Sequence, residues 1–80
     1  MNFEIISAQY IKDYKIALTF RDGKTGVVDL SEYTGRNDVF KPFSVPEFFK
    51  SFKVEFGTLV WGNGEVDIAP ETLYKKIIFQ

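Results

Sequence analysis

The chain has 80 residues, near the lower limit for a domain that folds unaided, with ten basic and eleven acidic residues and a net charge of −1. It contains neither cysteine nor histidine, which removes disulfides, thiolate zinc sites, cysteine nucleophiles and the one side chain that titrates near neutrality. No basic run is longer than Lys75-Lys76, so the electrostatic footprint of a nucleic-acid binder is missing.

With no staple or metal cage, stability has to come from apolar packing. The nine Phe, four Tyr and one Trp are its source. Phe3 to Lys12 is rich in Ile, Phe and Tyr and reads as a first strand. From Tyr14 to Arg21, Ile16, Leu18 and Phe20 alternate with Lys15, Ala17, Thr19 and Arg21, the period of a half-buried strand. Asp22-Gly23 turns the chain into a third strand, Thr25 to Leu30.

The register of this hairpin follows from its faces. A two-residue loop at Asp22-Gly23 pairs Ile16 with Asp29 and puts a carboxylate on the apolar side. A three-residue loop, Arg21-Asp22-Gly23, with Gly23 left-handed and a bulge, pairs Phe20 with Lys24, Ile16 with Val28 and Tyr14 with Leu30. The second register is the expected one. Gly26, opposite Leu18, then leaves room for a neighbouring side chain.

Ser31 to Pro42 is expected to be the longest loop, with a helical turn near Ser31 to Tyr33 and with Phe40 and Phe43 pinning it to the body. Ser44-Val-Pro-Glu47 matches a capping box, and Pro46 suits a first helical turn. A short helix, Val45 to Ser51, is expected to turn Phe48, Phe49 and Phe52 toward the sheet. Lys53 to Phe56 alternates as a strand, Gly57 turns the chain, and Leu59-Val60-Trp61 forms the next strand. Gly62-Asn63-Gly64 is a turn, and Val66 to Ile68 a short returning edge. Pro70 opens a helix running to about Phe79, with Leu73, Tyr74 and Ile77 on one stripe. Glu71 lies near its positive end and Lys75-Lys76 toward its negative end. The expected fold is α+β, an antiparallel sheet in the order β-β-β-α-β-β-α with two short helices packed on it. One domain covers residues 1–80, with no linker. No run is long and apolar enough for a bilayer helix, and the start lacks a secretory pattern. A cytoplasmic protein is expected.

Five residues stand out as candidate interaction or motif positions: Asp29, Trp61, Asn63, Asp67 and Tyr74. Asp29 is either a carboxylate offered to a partner or an acceptor for backbone N–H groups in the turn that follows. Glu65, Asp67 and Glu71 are acidic neighbours, but their spacing is not that of a calcium loop, and a helix N-terminus accounts for such charge. Gly62-Asn63-Gly64 lacks the longer glycine spacing of a phosphate loop and reads as turn geometry. Trp61 reads as a core anchor or an interface hot spot. No catalytic, cofactor-binding or metal-binding residue is assigned.

The stretches Ala8-Gln-Tyr10, Asp13-Tyr14, Phe20-Arg-Asp-Gly23, Val28-Asp-Leu30, Leu59-Val-Trp61-Gly-Asn-Gly64 and Asp67-Ile-Ala-Pro-Glu-Thr-Leu-Tyr74 together resemble the bacterial family called domain of unknown function 2442. The last two stretches are the specific ones. The resemblance implies a short stand-alone protein often encoded beside another small protein, in a pairing like that of toxins and antitoxins. Some relatives carry an appended helix-turn-helix, which makes a regulatory domain associated with DNA-binding proteins the alternative reading; this sequence shows no such extension, so DNA binding itself is not carried over. The expectation from the residues is a non-enzymatic protein-interaction module. It recognises a protein partner or itself through a sheet edge or an aromatic patch. No membrane, nucleic acid or small-molecule substrate is inferred.

Overall fold

The computed structural model describes residues 3–78, the side chain of Ile78 excepted. Strand β1 (Ile5–Lys12) pairs with β2 (Lys15–Phe20), and β2 pairs with β3 (Thr25–Asp29), all antiparallel. After a 3-10 turn at Ser31–Tyr33 and another at Lys41–Ser44 come helix α1 (Pro46–Phe49), strands β4 (Lys53–Glu55), β5 (Thr58–Trp61) and β6 (Val66–Ile68), and helix α2 (Pro70–Ile78). The α+β class and the element order agree with the sequence reading. The strands divide, however, into two three-stranded sheets, β1-β2-β3 and β4-β5-β6, rather than one. Val66–Ile68 is a full member of the second sheet, with Leu59 opposite Ile68 and Trp61 opposite Val66.

The first hairpin has the bulged register argued from its faces. Ile16 lies opposite Val28 and Leu18 opposite Gly26. The amide of Phe20 donates to the carbonyl of Lys24 at 2.9 Å, and that of Gly23 to the carbonyl of Phe20 at 2.9 Å. Gly23 has φ +93°, the left-handed region the loop demands. Gly26 is needed for a different reason. A Cβ there would fall 2.6 Å from Cγ2 of Ile77, so the missing side chain lets α2 lie directly on β3.

Strand β1 departs from ideal pairing twice. Ile5 faces Phe20 and Ser7 faces Thr19, while Tyr10 faces Ile16 and Lys12 faces Lys15, so Ile6 and Ile11 are extra residues. Both isoleucines are exposed. Bulges of this kind twist an edge strand and interrupt its pairing template.

The core joins the two sheets. Ile5, Ile16, Leu18, Phe20, Val28 and Leu30 from the first meet Leu59, Trp61, Val66 and Ile68 from the second, with Phe43, Phe49 and Leu73 closing the ends. Phe43 is its hub: its ring lies 4.7 Å from Trp61, 5.2 Å from Phe49 and 5.3 Å from Phe40. The Tyr14 hydroxyl donates to the Phe43 carbonyl at 3.0 Å, and the Trp61 indole N–H donates to the Phe49 carbonyl at 2.8 Å. Phe40 and Phe43 therefore pin the long loop as expected. Arg36 stacks beside them, its guanidinium 4.9 Å from the Phe40 ring and 5.3 Å from that of Tyr33.

The helix after this loop is shorter than the sequence suggests, and its capping box does not form. Val45, not Ser44, is the N-cap, and it makes no side-chain cap. A 3-10 turn over Lys41–Ser44, with Pro42 as its second residue, engages Ser44 first, so the Ser44 hydroxyl donates backward to the Lys41 carbonyl at 3.1 Å. At the other end the Ser51 amide and hydroxyl both donate to the Phe48 carbonyl, which tightens the turn and stops the helix after Phe49. Phe49 is buried, while Phe48 and Phe52 pack half-buried against the core. The expected end of the last helix at Phe79 lies outside the described residues.

Candidate interaction surface

The β4–β5 hairpin carries the most unusual residue of the described chain. Its register sets Glu55 opposite Thr58 and Val54 opposite Leu59, leaving Phe56-Gly57 as a two-residue loop. Both loop residues have positive φ, +52° at Phe56 and +77° at Gly57. These are the signs of a type I′ turn, whose first position favours Asn, Asp or Gly. Phe56 instead puts an aromatic ring there, and the ring is 103% exposed. No fold requirement explains it.

Gly57, in contrast, is dictated by its surroundings. Its carbonyl accepts the Ile5 amide at 2.9 Å and so ties the second sheet to the first. A Cβ on it would sit 2.3 Å from Cγ of Glu4. Beside this contact lies an open hollow of about 490 Å³, lined by Phe3, Glu4, Phe56, Gly57, Pro70 and Glu71. Its lining combines the apolar Phe3, Phe56 and Pro70 with two acidic residues, Glu4 and Glu71. Glu4 is braced by Arg21, whose Nε lies 2.6 Å from Glu4 Oε1. That hydrogen bond and charge hold the guanidinium pKa above its ordinary value. Phe3 is held from behind by an edge contact with Tyr74, centroids 5.0 Å apart.

The five residues singled out from the sequence do not converge. Asp29 is exposed at the end of β3, where Oδ1 accepts the Ser31 amide at 2.9 Å. This backbone hydrogen bond, foremost among its causes, holds the carboxyl below the usual range, as the local-turn reading required. Trp61 is completely buried and belongs to the core. Asn63 is exposed in its turn between Gly62 and Gly64, which have φ +65° and +86°. Asp67 points to solvent from β6.

Tyr74 has the clearest structural role of the five. Its hydroxyl donates to Asp22 Oδ2 at 2.6 Å, joining α2 to the turn of the first hairpin across 52 residues. Its ring also meets Phe20 edge-on at 5.0 Å. Asp22 accepts the Lys24 amide at 2.9 Å as well. The Tyr74 hydroxyl first, and then that amide, pull the Asp22 pKa down, while the Asp22 carboxylate pushes the Tyr74 pKa up. Two of the stretches that carried the family resemblance are thus bonded to each other.

A second, smaller hollow of about 200 Å³ is lined by Tyr10, Asp13, Tyr14, Pro46 and Lys50. The Lys50 ammonium, 5.2 Å from the Tyr10 ring centroid, already covers its aromatic wall.

The aromatic patch expected at the surface contracts to one residue. Among the described residues every other Phe, Tyr and Trp is buried or half-buried, and Phe56 alone is exposed. The sequence reading missed it by extending the Lys53-Val-Glu-Phe56 alternation through the ring. The usable signal was Gly57 as the second of two residues between paired strands.

What these observations define is a small α+β domain of two antiparallel sheets, with one strained aromatic at a hairpin tip. The chain belongs to the family described as protein of unknown function (DUF2442), whose model matches residues 5–79. No curated protein and no solved structure matches it.

Proposed function

We propose that this chain is a non-enzymatic protein-interaction module of the bacterial cytoplasm, with Phe56 as its recognition anchor. The carrying observation is a fully exposed ring held at φ +52°. Such a conformation costs about 1–2 kcal/mol for an ordinary L-residue, and a ring in water returns nothing to the fold. Backbone outliers of this kind cluster at functional positions, and aromatic residues, Phe among them, are enriched in interfaces.

Of the two expected modes of recognition, the aromatic tip has more support than a sheet edge. Of the four described edge strands, β1 is bulged at Ile6 and Ile11 and β4 and β6 are only three residues long, which leaves β3 as the one regular edge; bulges and short strands are ways of blunting strand addition. The partner is another small protein, such as the product of a neighbouring gene, or a second copy of this chain.

The test uses two immobilised baits, the wild-type chain and Phe56→Asn, with the neighbouring gene product and a host lysate as prey. The reading expects specific capture by the wild type, reduced at least tenfold by the substitution. Equal capture by both baits would remove Phe56 from the role. A wild-type chain that captures nothing and stays monomeric would remove the function.

A further inference from the structure

The turn Gly62-Asn63-Gly64-Glu65 joins β5 to β6, at the end of β5 away from Phe56. It contains an Asn-Gly pair. In that dipeptide a backbone nitrogen reaches the preceding side-chain carbonyl carbon with least obstruction, because glycine carries no side chain. Asn63 is exposed, and among the described residues its side-chain amide has no hydrogen-bond partner. The Gly64 amide makes no turn or loop hydrogen bond among them either. Gly64 has φ +86°, and nothing lies within 4 Å of the place a Cβ would take. Electrophile and nucleophile are adjacent, solvated and tied to nothing else. We infer that Asn63-Gly64 is a self-modification site, at which the folded chain converts Asn63 into aspartate and isoaspartate with water as the only co-reactant.

The chemistry closes without an oxidant or an enzyme. The Gly64 nitrogen gives up its proton and attacks Cγ of Asn63. The new N–Cγ bond closes a five-membered succinimide as the Cγ–Nδ2 bond breaks, and Nδ2 departs as ammonia with the proton that Gly64 lost. Water then opens the ring at one of its two carbonyls. Cleavage of the N–Cγ bond leaves aspartate in a normal chain. Cleavage at the backbone carbonyl leaves isoaspartate, with the chain running through Cγ.

Hydrogen bonding, more than sequence, selects this position. Asp22-Gly23 is open to the same ring closure, but both of its groups are engaged. Asp22 accepts the Lys24 amide at 2.9 Å and the Tyr74 hydroxyl at 2.6 Å, and the Gly23 amide donates to the Phe20 carbonyl at 2.9 Å. Asn37 is exposed but precedes Asp38, whose side chain obstructs the approach and is itself bonded to Arg36 and to the Phe40 amide.

Both products strain the turn. Aspartate is ionised at neutral pH and adds a charge close in sequence to Glu65 and Asp67, in a chain already at −1. The Glu65 carboxylate leans over the turn, since a Cβ on Gly62 would lie 3.1 Å from its Oε1, so the two like charges repel at short range. Isoaspartate adds a methylene to the backbone of a four-residue loop whose ends, Trp61 and Val66, lie opposite each other and are buried. A longer loop works against that register. The reaction therefore marks old molecules, and the isoaspartate form is the less stable one.

The test holds the full-length wild type folded in mildly alkaline buffer and then cuts it after Lys53 and Lys75. This releases residues 54–75, in which Asn63 is the only side-chain amide. The peptide is expected to resolve into the parent and two forms one dalton heavier, one of which accepts a methyl group from a protein-isoaspartyl methyltransferase. A synthetic 54–75 peptide incubated alongside sets the unhindered rate, and the folded chain is expected to react less than an order of magnitude more slowly. Asn63→Gln should abolish the heavier forms, because its ring would have six members. The separated isoaspartate form of the whole chain is expected to unfold at lower urea, read by Trp61 fluorescence. A folded chain that keeps Asn63 intact, or reacts an order of magnitude or more below the peptide, overturns the inference, since the turn then holds the two groups apart.

Discussion

Replacing Phe56 by Asn should make the isolated domain more stable, although it removes a large apolar side chain. The left-handed conformation at φ +52° costs an L-residue about 1–2 kcal/mol. Asn tolerates that region and is favoured before Gly in a type I′ turn, so it recovers about 0.5–1.5 kcal/mol of the cost. Burial contributes nothing on the other side, because the ring is fully exposed. In a domain of this size about 1 kcal/mol shifts the melting temperature by about 4–8 °C. Phe56→Val should move the opposite way, since a β-branched residue at positive φ is a worse fit. Urea unfolding followed by the fluorescence of Trp61 provides the assay. That residue is the only tryptophan, and it is completely buried. If Asn is neutral or destabilising with an unchanged m-value, the ring supports the fold and the argument that it is reserved for recognition fails.

Gly26→Ala should destabilise by about 1–3 kcal/mol through overpacking, because the new methyl would lie 2.6 Å from Ile77. Adding Ile77→Ala should return part of the loss, and strict additivity in the double-mutant cycle would show that α2 is not seated on β3. Phe43→Ala should cost about 3–5 kcal/mol, a large share of the roughly 4–12 kcal/mol expected for 80 residues. The variant should therefore show a collapsed or lost urea baseline, and a sharp transition near the wild-type midpoint would contradict its place as hub. Tyr74→Phe should lower the melting temperature in a pH-dependent way. Asp22 has a depressed pKa when folded, so its share of the bond is present above the unfolded carboxylate value and lost as pH falls through the folded one. Tyr74 has a raised pKa, so its share is present below the unfolded phenol value and lost as pH rises through the folded one. The gap between wild type and variant should be widest between about pH 4 and pH 10 and close on both sides; a gap independent of pH would exclude this bond as its cause.

The elements that could be read from sequence are those where local preference and burial agree. The register of the β2–β3 hairpin follows from alternation, because a slip of one residue would put Asp29 on the apolar side. The same alignment placed Gly26 where Ile77 now lies. Asp29 behaved as a turn acceptor because its side chain is short enough to reach the Ser31 amide. The misses occur where two local rules compete. Ser44 satisfied a capping pattern, but the tighter turn over Lys41–Ser44 took its hydroxyl first. Phe56 matched the alternation of β4, and its left-handed backbone runs against the preference of its own side chain, so nothing in its identity announced a turn. The way the two sheets are joined depends on Ile5 meeting Gly57, a contact between distant segments to which periodicity is blind. For the same reason Phe56 lay outside every stretch singled out beforehand, although Pro70 and Glu71 of the same hollow belong to one of them.

The bond between Tyr74 and Asp22 spans 52 residues, and this separation has a consequence for the nascent chain. At a synthesis rate of about 5–20 residues per second the turn leaves the ribosome about 3–10 s before its partner does. Throughout that interval the greasy side of the first three strands, with Ile16, Leu18 and Phe20, waits without Leu73 to cover it. The hazard of that uncovered face is thus concentrated in a brief window of synthesis, between the emergence of the first hairpin and that of α2.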